Sequence, residues 1–285
     1  MERTDELRRG RDAYEARAWA EAVEALSAAD SHGELEAVDL ERLGDALFLV
    51  GREAEHYAVW ERAHHGYVRA GHKRRAARCA FWIGMQLFMR GETGRGGGWL
   101  GRARRLLEGD DNCAERGYLL LPEMFRKRAA GDLEGAVTTG AAAAEAGRRF
   151  GDADLSALAM HTQGEFLISV GKSAEGLRLI DEVMLAVSSG EVSPIPTGVI
   201  YCRAIVSCQD AFDPRRAREW TEALDAWCQL QPDLLALQGT VRYTGPSSWS
   251  WREHGTMPSM PSPTLPAGQR ARESRECRPG GAARW

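Results

Sequence analysis

Any chemistry in this chain would have to come from its histidines, its cysteines or its glycine-rich turn, and their spacing argues against each. The seven histidines include one adjacent pair, His64-His65. Neighbouring side chains diverge on a helix and cannot share a ligand set, so both read as surface residues. No HxxxH or HxxEH spacing occurs, and no metal site is expected. The six cysteines, Cys79, Cys113, Cys202, Cys208, Cys228 and Cys277, lie far apart without a CxxC pair, which argues against both a zinc site and a disulfide framework. Cys79 ends the run Arg74-Arg-Ala-Ala-Arg-Cys79, where arginines could favour a thiolate, but a buried, inert thiol is the commoner outcome. The basic run Lys73–Arg78 reads as a solvated helix start. Gly91-Glu-Thr-Gly-Arg-Gly-Gly-Gly98 is glycine-rich but lacks the Lys-Ser/Thr that holds phosphate and metal. No GxSxG elbow occurs. The chain is therefore read as non-enzymatic, with no catalytic residue, metal or cofactor assigned.

The elements that would position any site come next. With 285 residues, 44% hydrophobic and 27% charged, the chain is long enough for a sizeable core. Its net charge of −4 and isoelectric point near 6.0 disfavour a chain whose main task is gripping nucleic acid. No run of 18 apolar residues exists to span a bilayer. The charged start Met1-Glu-Arg-Thr-Asp-Glu is followed by no apolar stretch, so a cytoplasmic location is expected.

Composition changes near residue 239. Residues 239–285 hold seven Arg and three Glu, a net +4, which leaves −8 on residues 1–238. Pro258, Pro261, Pro263 and Pro266 would interrupt any helix or strand, and Val241 and Leu265 are the only branched aliphatics. This Arg/Pro/Ser/Gly-rich tail is expected to be disordered. Only Lys73, Lys127 and Lys172 are lysines, and the other 34 basic residues are arginine, a usage that suggests a GC-rich coding sequence. In such codons a frame shift near Leu237 would convert a further amphipathic hairpin into this tail. An ordinary disordered tail is the alternative.

Residues 1–238 carry an internal period. Gly51, Gly91, Gly131 and Gly171 stand 40 residues apart, and seven residues before them stand Gly44, Gly84, Met124 and Gly164. Each later glycine is expected to end a helix in the left-handed conformation; each earlier one would let a partner helix approach closely. The second helices show apolar stripes: His56, Trp60 and Ala63; Gly96, Leu100 and Ala103; Gly176, Ile180 and Val183. Trp19, Ala22, Leu26 and Ala29 begin the series, and Ala217, Thr221 and Leu224 end it around an irregular turn at Phe212-Asp-Pro-Arg. The expected architecture is all-α, a right-handed α-solenoid of about six helical hairpins, the first and last imperfect.

This spacing of small and large residues resembles tetratricopeptide repeats. Its 40-residue period exceeds the usual 34, which resembles the repeats of large LuxR-type bacterial transcription regulators, including the maltose-regulator class. The stretches that carry the likeness are Arg74-Arg-Ala-Ala-Arg-Cys-Ala-Phe-Trp-Ile83, Gly98-Trp-Leu-Gly-Arg-Ala-Arg-Arg-Leu-Leu107, Glu115-Arg-Gly-Tyr-Leu-Leu-Leu-Pro122 and Glu219-Trp-Thr-Glu-Ala-Leu-Asp-Ala-Trp-Cys228. The likeness covers about residues 5–238. Those regulators end in a DNA-reading helix-turn-helix and some begin with a nucleotide-binding domain; neither is recognisable here, so a truncated sensory region without direct DNA binding is expected.

In such solenoids the first helices line an inner surface that binds peptides or proteins. Transferring that register predicts Glu41, Asp45, Arg78, Met85, Tyr118, Arg128, His161 and Glu165 as a partner-binding groove. The implied partner is a protein, a peptide or a small-molecule effector, with no membrane. Trp220, Leu224, Trp227 and Leu230 would leave an apolar end that favours self-association. A free-standing tetratricopeptide scaffold is the alternative function.

Overall fold

The chain turns through a left-handed glycine at nearly every helix end. Gly51, Gly91, Gly131 and Gly171 have φ of 77°, 82°, 81° and 83°. In each turn the next amide reaches back to a carbonyl inside the finished helix: Arg52 N–H to Leu47 O at 2.8 Å, and Glu92, Asp132 and Lys172 N–H to Leu87, Lys127 and Leu167 O, each at 2.9 Å. This closes otherwise orphaned carbonyls. Gly71, Gly151 and Gly190 perform the same service between hairpins, a half-period the sequence reading did not register. The first and last hairpins use Arg17 (φ 61°) and Phe212 (φ 56°) instead, which marks both as the irregular members.

The computed structural model describes residues 2–231 with Asp233 and Leu234, all within the compact unit Met1–Pro246. The disorder and frame shift expected for 239–285 lie outside the described residues. Among the described residues there are thirteen helices and no strand. They form six hairpins: α1 (Glu2–Glu15) with α2 (Trp19–Ser31), α3 (Ala37–Leu49) with α4 (Glu53–Arg69), and α5 (Lys73–Met89) with α6 (Thr93–Leu106). Then α7 (Ala114–Tyr118) and α8 (Leu120–Ala129) share α9 (Leu133–Phe150) as partner, α10 (Ala153–Ser169) pairs with α11 (Ser173–Ser188), and α12 (Pro194–Asp210) pairs with α13 (Pro214–Gln229). The fold is an all-α helical repeat. No described helix is long and apolar enough to cross a membrane.

Close approach explains the earlier glycines. A Cβ at Gly84 would stand 2.9 Å from Leu100 Cγ, and one at Gly44 would run into the Trp60 indole. In the fourth hairpin Met124 takes the glycine's place and the relief moves across to Gly140, where a Cβ would meet Met124 Cε at 2.6 Å. All the predicted second-helix stripes are buried.

The hairpin series also meets itself. The segment after α13 lies on the start of α2: Trp19 Nε1 donates to Gln231 Oε1 at 3.1 Å, and Ala20 N donates to Asp233 Oδ2 at 3.3 Å. Leu234 is fully buried in the core cluster that holds Trp19, Leu26, Leu47 and Ile195, with Trp227 and Cys228 packed against it. Of the apolar end residues, Leu224 is buried, Trp220 and Trp227 are half-buried, and Leu230 stays exposed.

Candidate functional site

Closure encloses the face shared by α1, α3, α5, α7–α8, α10 and α12, and two cavities occupy it. The first, about 130 Å³, is polar and is bounded by Tyr14, Glu41, Asp45, Arg78, Tyr118 and Asp154, with Trp60, Trp82 and the start of α12 completing its wall. Four predicted groove residues meet here: Glu41, Asp45, Arg78 and Tyr118.

Ion pairs and hydrogen bonds occupy most of this polar chemistry. Arg78 bonds Asp152 at 2.6 Å, pairs with Glu115 at 3.1 Å and lies 4.8 Å over the Tyr118 ring, whose hydroxyl donates to Asp152 at 2.9 Å. Burial alone would lower the Arg78 pKa, but the neighbouring Tyr118, Asp152 and Glu115 outweigh it and raise it. Asp152 also caps α10, accepting from Leu155 N at 2.9 Å. The basic run is thus stitched into the fold: Arg74 pairs with Asp110, and Arg75 with Glu41, which also accepts from Tyr67.

Asp45 is the unusual group. Burial, with repulsion from Glu41, pushes its pKa up to about 8, although Tyr14 donates to it at 2.8 Å. The Trp60 indole N–H also favours its ionised form without closing a hydrogen bond of full geometry.

The second cavity, about 310 Å³, is overwhelmingly apolar. Phe48, Tyr57, Phe81, Trp82 and Phe125 supply rings, Met85 and Met89 supply thioethers, His161, Gln86 and Thr162 are uncharged polar groups in the wall, and Glu53, Arg90 and Arg203 are its charged groups. Met85 and His161 are the predicted residues placed here. His161 is buried, its Nε2 has no hydrogen-bond partner among the described residues, and burial, aided by Arg203, drives its pKa down to about 3. The remaining two predicted residues stand behind this wall. Glu165 bridges Arg128, at 3.3 Å, and Arg203, and Arg203 itself lines the cavity.

Sequence reasoning missed Tyr14, Trp82, Asp154, Arg203 and the aromatic walls Phe48 and Phe125. Only the 40-residue register linking Phe125 to Met85 could have found one of them. The surface reading of His64 needs correction: His65 is exposed, but His64 is buried with Nδ1 2.8 Å from Ala76 O. Cys79 is buried, and burial raises its thiol pKa well above normal, so it is no activated thiolate.

No protein-family model matches the chain, and no curated protein is similar to it in sequence. Among solved structures it is similar to BtubC (BKLC) from P. vanneervenii, at 10% identity and a TM-score of 0.43, over 88% of this chain and 96% of that one. A likeness of that degree decides nothing about function.

Proposed function

We propose that this chain is a ligand-binding sensory module, the regulatory part of a LuxR-type transcription regulator, which senses an effector inside the helical repeat and does not itself read DNA. The observation that carries this reading is the apolar cavity with, in its wall, a buried His161 whose Nε2 has no partner among the described residues. Leaving a buried polar atom unpaired costs roughly 1–3 kcal/mol, and such a defect beside an apolar pocket is what an absent ligand would repair. The repeat spacing and the quoted stretches support the regulator assignment. A ligand touching α3, α5, α8, α10 and α12 together would favour the closed series of hairpins over any opened one, and differential affinity of that kind is what makes a binding module a switch. Self-association through the exposed Leu230 end would be a second route for the signal.

Two measurements test this. A thermal-shift screen of small neutral metabolites should find compounds that raise the Tm of the wild-type chain but not of Met85→Trp, which fills the cavity. Equal responses from both proteins would contradict the cavity as the site. Sequencing the coding DNA from codon 230 onward in all three frames should reveal further hairpins and a helix-turn-helix; frames that all close at once would contradict the regulator assignment.

A further inference from the structure

The charged groups at the rim of the apolar cavity are already matched. Arg90 pairs with Glu53 at 2.8 Å, and Arg203 pairs with Glu165. An ionised ligand would therefore leave water without a waiting counter-charge, at heavy desolvation cost.

The walls specify shape. Phe48, Tyr57, Phe81, Trp82 and Phe125 offer ring faces and edges, which favour an aromatic occupant through offset and edge-to-face contacts. Met85 and Met89 add polarisable sulfur, which also favours a ring.

The polar groups specify one more feature. His56 Nδ1 stands 2.7 Å from Gly44 O, so that nitrogen carries the proton, and burial lowers the pKa of the ring toward the neutral form. Its Nε2 is then an acceptor; the Gln86 amide oxygen stands 2.9 Å from it, and a half-turn of that amide, which keeps its shape, supplies the NH₂ as donor. The turned amide puts its carbonyl oxygen where the Gln86 nitrogen stands without a partner among the described residues, so the free end becomes an acceptor. A lone acceptor at Gln86 and a neutral imidazole at His161 both border the cavity. A hydroxyl, which donates one hydrogen and accepts others, suits such a mixed pair better than a pure acceptor does.

We propose that this cavity binds a compact, neutral aromatic molecule bearing a hydroxyl group, its ring among the aromatic and methionine side chains and its hydroxyl at the unpaired groups of His161 and Gln86. The proposal rests on the cavity being the ligand site and adds the chemical class.

Isothermal titration calorimetry on the full chain at pH 7 with 2-naphthol, naphthalene, 2-naphthoate and n-decanol tests it. 2-Naphthol should bind about tenfold more tightly than naphthalene, the worth of one net hydrogen bond, and more tightly than the anionic and the aliphatic probe. In His161→Phe, with its fold checked by circular dichroism, 2-naphthol should fall to the naphthalene level while naphthalene is unaffected. 2-Naphthoate or decanol binding as well as 2-naphthol would overturn the class and leave the cavity as a ligand site. Binding by none of the four would overturn the proposal, and the Met85→Trp thermal-shift comparison would then decide the broader reading separately.

Discussion

Seven residues along an inner helix carry a side chain from the polar cavity to the apolar one, Arg78 to Met85 on α5 and Asp154 to His161 on α10, and the same step leads from Tyr118 at the end of α7 to Phe125 on α8. Seven residues are two turns, about 10.5 Å along the axis and nearly on the same face. α10 and α12 bring their N-terminal ends to the polar cavity through Asp154 and Pro194, whereas α1 reaches it with its C-terminal end through Tyr14. Carboxylates such as Asp152 and Asp154 sit there, where the helix dipoles favour negative charge. At that end Arg78, Glu115, Tyr118 and Asp152 form one network, with only single nitrogens of Arg78 (Nε) and Trp60 (Nε1) left over among the described residues. At the apolar end a histidine nitrogen is left unpaired. The first arrangement holds the repeat together; the second is poor for stability and suited to binding.

Substitutions should separate the two ends most sharply at Arg78. Arg78→Ala strands Asp152 and Glu115, both largely buried, and should destabilise by about 3 kcal/mol in urea unfolding. Met85→Ala, at a half-buried side chain on an existing cavity, should cost about 1 kcal/mol, below the roughly 2–5 kcal/mol of a fully buried methionine. Equal losses would remove the distinction.

Next in size is Asp45. Its folded pKa of about 8 lies above the unfolded value, so the folded state keeps a proton that the unfolded chain gives up. Stability should therefore fall as pH rises from about 4 to about 8. Asp45→Asn should lose that slope and be more stable than wild type at pH 8.5; parallel pH profiles for the two proteins would show that burial does not raise this carboxyl.

His161 has the opposite sign. Its folded pKa of about 3 lies below the unfolded value near 6.5, so its contribution is complete above about pH 6.5 and is lost as pH falls toward 3. His161→Phe should flatten the acid limb and, at pH 7, gain about 1 kcal/mol by removing the unpaired nitrogen. Marked destabilisation at pH 7 would mean that His161 serves the fold rather than a ligand.

The smallest effect is expected far from either cavity. Phe212 is 89% exposed and holds a left-handed φ of 56°. Phe212→Gly should stabilise by about 0.5–1 kcal/mol without altering ligand binding, as thermal unfolding with and without 2-naphthol would show.

The local features were legible in the sequence. The glycine period announced the turns, and the second-helix stripes announced the hairpin interfaces, because both depend on residues within one repeat. The first-helix register also brought eight residues to the inner face or just behind it. What the sequence did not reveal is the sorting of those residues into two layers, since Glu41 and Met85 were read as one groove. The network of Arg78 with Asp152, 74 residues apart, was equally hidden. Both depend on curvature, the sum of small rotations between successive hairpins. His64 was misread for a related reason: its burial comes from α5 and Trp99 of the next hairpin rather than from its own helix.

Closure of the series places both cavities, and the bond between Trp19 and Gln231, 212 residues apart, reports it. A double-mutant cycle of Trp19→Phe and Gln231→Ala, read by urea unfolding, tests it most directly. A coupling of about 1 kcal/mol is expected if the first hairpin and the segment after the last one share that hydrogen bond. Additivity within about 0.3 kcal/mol would mean that the ends stand apart and the hairpins do not close around a common interior.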